Sequence, residues 1–383
     1  MHARKPELTA LTSLRGIAAI FVVWHHFMFV AMPDVAAITP TRLFEKSYLW
    51  VDLFFMLSGF VLAYIYHDTF RIRITGPQYR DFIQSRFARI YPLHLFMLLL
   101  FVGFEGLQWF LSYFDASGME NLAAPFTGKQ SVETLVTNLL LVQTLHWATY
   151  WNEPAWSISA EWIMYFFLPF LLQPLLRLQK QTYFFVAALA LIPLVAIESY
   201  FGDLGLYYAG WPMLVRCLCE ATLGIIAFRL YQMGSIARLA SSKHLLPVFI
   251  LNLVILAVPG PGVISVVSFF WLVLCASRLP KESHHVFNHP LLLYFGKISY
   301  SIYLVHWLLI DLLKEGTQFF TGTPAHQDLP LFAQFAVITM MLVVVIGLSA
   351  MTYRFVEEPM RKLLKPRVLR PSLGDQTISR IKG

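Results

Sequence analysis

Residues 14–26 read LRGIAAIFVVWHH. Nine apolar or small residues separate a permanent cation, Arg15, from an imidazole pair, His25 and His26. The middle of the stretch suits lipid; its two ends do not. Eleven residues at 3.6 per turn make three turns plus about 20°, so Arg15 and His26 share one helix face about 16 Å apart. His25 points about 100° away from that face. What the face looks at decides the fold.

The rest of the chain answers in the same terms. Of 383 residues, 57% are apolar and 16% aromatic, and only 13% are charged, with a mean hydropathy of +0.61. A soluble chain carries about 25% charge. Apolar runs long enough to cross a bilayer recur throughout. The expectation is an all-α, polytopic membrane bundle of about ten transmembrane helices: 9–31, 48–66, 90–111, 155–177, 182–200, 207–229, 244–258, 261–279, 290–313 and 330–352. The pair 244–258 and 261–279 is the weakest, being short and split by Pro259-Gly260-Pro261-Gly262. The segment 131–146 is apolar but too short to span, so it reads as interfacial or re-entrant.

Lys and Arg set the orientation. With the N-terminus in the cytoplasm, 22 of the 29 fall on the cytoplasmic side and four (Arg42, Lys46, Lys129, Lys314) opposite, which puts both termini inside. The net charge of +7 is therefore a property of topology, and nucleic acid is not an expected partner. The first span contains Arg15 and two histidines where a cleavable signal needs an apolar core, so it stays as a helix. Cys217, Cys219 and Cys275 all lie in spans and say nothing of redox compartment.

Ionisable groups within spans are costly in hydrocarbon and mark function unless they pair or meet water. Taking depth from the helical rise, the cations Arg15, Arg86 and Arg89 lie toward the cytoplasm, and His26, Asp52, Glu161 and His306 toward the outside. Arg86 and Arg89, at i and i+3 in RFARIYP (86–92), share a face and can grip phosphate oxygens, or else anchor at headgroups. A neutral histidine can take a proton from a hydroxyl, with a carboxylate fixing its tautomer; packing roles remain open for each histidine, His25 above all, and Asp52 lies near enough to water to be interfacial. Metal-ligand spacing, a Gly-x-Ser-x-Gly elbow and a phosphate-binding glycine loop are all missing from the sequence. Buried Arg, His and Glu also suit a proton-coupled transporter or exporter of a glycan or lipid, although no inverted repeat of span lengths accompanies them.

Six motifs in chain order resemble the integral-membrane acyltransferase 3 family: Arg15 with His26, Phe54 to Phe60 (FFMLSGF), Arg86 to Pro92, Trp156 to Glu161 (WSISAE, with Ile158 in place of the usual Leu), SYSIYLVH ending at His306, and Glu357 with Pro359. The resemblance implies a membrane domain over 1–370, with 371–383 a short cytoplasmic tail. It implies transfer of an acyl group, often acetyl, from acyl-CoA to a hydroxyl of a polysaccharide or lipid-linked glycan at a bacterial inner membrane. By carry-over His26 is the base, grouped with Glu161 and His306, and Arg15, Arg86 and Arg89 hold the CoA phosphates. Asp52, Ser58, Trp156 and Tyr303 are substrate-side candidates, and loop residues Trp147, Tyr150 and Trp151 are candidates for acceptor contact. No metal and no permanently bound cofactor are expected; lipid, acyl-CoA and the glycan are the partners. Many members carry an extracytoplasmic hydrolase-like domain. Thirteen residues after Arg370 cannot build one, so the stand-alone form is expected, with an extracytoplasmic partner acyltransferase as the open alternative for completing transfer. One polar shaft from Arg15 to His26 would link the donor and acceptor sides.

Overall fold

A computed structural model of the chain describes residues 6–114, 118–146, 151–202, 206, 210–234 and 236–366. These residues are helical, without strands. Ten helices of thirteen residues or more match the ten expected runs: α1 Thr9–His26, α2 Trp50–Phe70, α3 Gly76–Tyr113, α4 Ala155–Leu175, α5 Lys180–Phe201, α6 Pro212–Met233, α7 Leu245–Ala257, α8 Gly262–Ser277, α9 Pro290–Thr321 and α10 Leu331–Thr352. The tail 371–383 and the loop candidates Trp147 and Tyr150 lie outside the described residues.

Seven of the ten, with their continuations, are long and apolar enough to cross a membrane. The three others have separate reasons. Helix α6 is 22 residues long but carries Arg216, Glu220 and Arg229. Helices α7 and α8, with 13 and 16 residues, reach about 20 and 24 Å. Their Pro-Gly-Pro-Gly turn is fastened from both signs of charge: Lys46 Nζ donates to the carbonyls of Val258 and Gly260 at 2.9 and 2.7 Å. The Glu198 carboxylate accepts from the Gly262 and Val263 amides that open α8.

Two glycine crossings hold the bundle centre. A Cβ on Gly296 of α9 would sit 2.0 Å from the Thr12 carbonyl of α1, and one on Gly16 would sit 2.6 Å from the Gly296 amide. At the second crossing, a Cβ on Gly59 of α2 would meet the Ala221 carbonyl of α6 at 2.0 Å, and one on Gly224 the Met56 carbonyl at 2.0 Å. Small residues that let backbones touch are how helices associate in lipid, where burial of apolar side chains drives little. Helices α5 and α10 sit outside this centre and present large apolar side chains outward, among them Phe184, Phe185, Ile192, Phe332 and Val343.

The short segment 131–146 folds as an eight-residue helix, Val132–Leu139, followed by a 3₁₀ turn. Its irregular backbone is bonded inside the protein. His94 meets the Asn138 carbonyl at 2.8 Å, Tyr91 donates to the Leu139 carbonyl at 3.0 Å and Ser159 to the Leu141 carbonyl at 2.9 Å. Non-helical chain at membrane depth is tolerated on that condition.

Filling a glycine crossing costs on the order of 1–3 kcal/mol by overpacking. Gly296→Ala and Gly59→Ala are expected to lower the thermal midpoint of the detergent-solubilised protein, whereas Gly103→Ala, with no atom within 4 Å of the added carbon, leaves it unchanged or raises it. Thermal unfolding followed by tryptophan fluorescence checks the contrast.

Candidate active site

A cavity opens among α1, α2, α3, α4 and α9. Arg15, Arg86 and Arg89 line it together with Ser58, Glu161 and Tyr303, so six of the sequence-derived candidates converge there. Local sequence explains each. In FFMLSGF the Gly59 backbone is pressed on α6, which turns the neighbouring Ser58 inward. In RFARIYP the i, i+3 spacing delivers both arginines to one wall, and Tyr300 of α9 donates to the Ile90 carbonyl at 2.6 Å, pinning that wall in place.

The arginines are not equivalent. Arg89 forms an ion pair with Glu357, a short contact, and Glu357 also accepts from Ser301 at 2.8 Å. Glu357 closes a π-helical turn, Tyr353–Glu357, at the end of α10. The Arg89 guanidinium lies 5.6 Å from the Tyr300 ring centroid. Arg86 rests between the rings of Tyr66 and Tyr165, at 5.8 and 6.0 Å, and its one hydrogen bond among the described residues is with Ser85 at 3.4 Å. Arg15 forms no hydrogen bond or ion pair among the described residues. Glu161, the carboxylate in the cavity wall, accepts from Tyr165 at 2.6 Å. Two guanidiniums therefore face the cavity without a carboxylate of their own.

Opposite the arginines the lining turns apolar, with Val51, Phe54, Phe55 and Ile158. Tyr303 closes this end. Its hydroxyl is hydrogen-bonded to Ser157 Oγ at 2.8 Å and donates to the Pro154 carbonyl at 3.1 Å. One turn further along α9, His306 Nε2 meets His26 Nδ1 at 3.0 Å, with the rings stacked at 5.1 Å and Trp307 edge-on to His26 at 5.3 Å. Neither imidazole lines the cavity. The expected single shaft is thus divided into an arginine compartment and an imidazole pair, with Tyr303 between. The partner of His26 is also an imidazole rather than the expected carboxylate. A π-helical turn, Phe27–Ala31, begins directly after His26 and re-aims the chain there.

The other candidates lie elsewhere. Asp52 is fully buried and bound to Arg216 at 2.5 Å, with Glu220 at 3.5 Å from the same nitrogen. Trp156 lies under this cluster, 5.7 Å from the Arg216 guanidinium. Neither borders the cavity. His25 bonds the Phe44 carbonyl at 2.8 Å and stacks on Phe29, a packing position. Trp151 is buried and donates to Thr134 at 3.1 Å. Beside it, burial raises the Glu153 carboxyl above its ordinary range, with Lys129 and Lys314 pulling the other way. The residues that sequence reasoning passed over are Tyr165, Tyr300, Arg216 and Glu220. Tyr165 was findable, because it stands one turn after Glu161 on the same helix face.

Comparison with known proteins decides what this bundle is. An acyltransferase-domain family model, acyltransferase 3, matches residues 8–354. The chain belongs to the acyltransferase 3 family. It is 26% identical to the acyltransferase MdmB of Streptomyces mycarofaciens over 96% of this chain and 95% of that protein. It is 32% identical to protein 2 in the picA locus of Rhizobium radiobacter over 43% of this chain and 82% of that protein. A putative O-acetyltransferase of Staphylococcus aureus strain COL is 24% identical over 97% of this chain, which spans 60% of that longer protein. No solved structure matches. The chain is thus a multi-pass membrane enzyme that transfers acyl groups.

Removing one partner of a buried ion pair costs about 3–5 kcal/mol. Asp52→Asn is therefore expected to reduce the yield of folded, monodisperse protein, while Ser58→Ala leaves yield unchanged. Size-exclusion profiles of the two variants check this; equal profiles would mean that Asp52 does not hold the bundle.

Proposed function

We propose that the protein moves an acyl group, acetyl by preference, from acyl-CoA to a hydroxyl of a polysaccharide or lipid-linked glycan at a bacterial cytoplasmic membrane. One observation carries the reading: Arg15 and Arg86 line the cavity, and among the described residues no carboxylate is bonded to either. Guanidinium forks match phosphate oxygens, and the phosphates of the donor supply the missing anions. The positive-inside orientation brings this end to the cytoplasm, where acyl-CoA is made.

With phosphates at the arginines, the pantetheine arm runs along Ser58 and Glu161 and brings the thioester toward the apolar end. The acceptor hydroxyl approaches His26. Because Nδ1 of His26 is taken up by His306, Nε2 is the nitrogen left to accept the hydroxyl proton. As that proton moves to Nε2, the oxygen attacks the thioester carbonyl. The carbon–sulfur bond then breaks, and the CoA thiolate leaves and takes up a proton. A thioester is already activated, so alignment and one base suffice. His306 orients His26 and shares the positive charge that develops.

Purified protein with isotope-labelled acetyl-CoA and a cell-surface glycan acceptor, followed by mass spectrometry, tests the reading. His26→Ala is expected to lower turnover by about 10²–10⁴-fold while leaving acyl-CoA binding intact. Arg15→Ala is expected to weaken acyl-CoA binding with its fold retained. Wild-type transfer in H26A, or undiminished donor affinity in R15A, would overturn the corresponding role.

A further inference from the structure

Tyr303 occupies the boundary between the two compartments. It lines the cavity, and its ring lies 6.1 Å from that of Phe54, which also lines the cavity, and 6.0 Å from that of His306, which does not. Its hydroxyl is held to Ser157 and to the Pro154 carbonyl, both on the α4 side of the bundle. His306 stands three positions after Tyr303, so the imidazole lies one turn beyond the phenol on the same face. A thioester that enters past the arginines meets Tyr303 before it meets His26.

We propose that Tyr303 is the gate between the donor cavity and the imidazole pair, with its hydrogen bonds to Ser157 and Pro154 as the latch. The proposal rests on the reading of the cavity as the donor site. With the latch closed, a bound thioester is kept from the base and from water reaching it by the acceptor side, the sequestering task that mobile groups perform in other active sites. Release of the phenol opens a path between the apolar end and His26. Ser157 has a defined task in this scheme: its hydroxyl holds the gate, while Glu161 one turn later on α4 faces the donor.

Accessibility tests the gate without relying on catalysis. A His26→Cys reporter is treated, in detergent, with a small anionic methanethiosulfonate reagent. The modified residue is identified by peptide mass spectrometry, so the native cysteines do not interfere. The modification rate should rise in the order wild-type gate, Ser157→Ala, Tyr303→Phe and Tyr303→Ala. Loss of one latch bond changes the open population about fivefold, and removal of the ring should raise the rate by at least about tenfold. A His306→Cys reporter supplies the same series if the first does not fold. Rates that stay flat across the series in a folded reporter would overturn the gate. The readout also separates the two readings. A graded series in protein that does not bind acyl-CoA would refute the donor site and keep the gate. Acyl-CoA binding with a flat series would do the reverse.

Discussion

A guanidinium cannot stand alone in hydrocarbon, and this constraint organises the bundle. Arg216 is satisfied by Asp52, with Glu220 close by, and Arg89 by Glu357. These pairs tie α6 to α2 and the end of α10 to α3. Arg15 and Arg86 receive no such partner among the described residues, and they open onto the cavity among α1, α2, α3, α4 and α9. The same residue type therefore has two fates, structural where the chain supplies the carboxylate and functional where it does not.

The glycine crossings make the second fate possible. Gly16 touches Gly296, and His26, ten residues on, touches His306, also ten residues on. Helices α1 and α9 thus run parallel and in register over the whole distance between the two contacts. The crossing fixes where Arg15 faces the cavity, and the register delivers the two imidazoles to each other. A side chain at either glycine would part the helices and separate the pair. Parallel α2 and α6 repeat the design: the Gly59 and Gly224 crossing sets Ser58 toward the cavity, and Asp52 reaches Arg216 nearer the other end.

Much of this was legible in the residues because hydropathy and helical periodicity are local. Each of the ten apolar runs became a helix, the weak pair 244–258 and 261–279 included. Arg15, Ser58, Arg86, Arg89 and Glu161 converge because ionisable and small polar groups in lipid-bound helices have few places to go. What was hidden depends on partners far apart in sequence. Asp52 looked interfacial, but its depth in a polar cluster is set by Arg216, 164 residues away. Trp156 was a substrate-side candidate, yet that same guanidinium lies over it. Tyr300 has the composition of any membrane aromatic, and nothing in the run of letters distinguishes a phenol that pins a cavity wall from one that sits at an interface. The division of the expected shaft into two compartments was invisible for the same reason.

The most direct measurement is a structure of the protein with a non-hydrolysable acyl-CoA analogue. The expected result places the phosphates within hydrogen-bond reach of Arg15 and Arg86, the thioester mimic at Tyr303, and His26 beyond it. Analogue density outside this cavity, with both guanidiniums still unengaged, would contradict the donor site and the mechanism built on it.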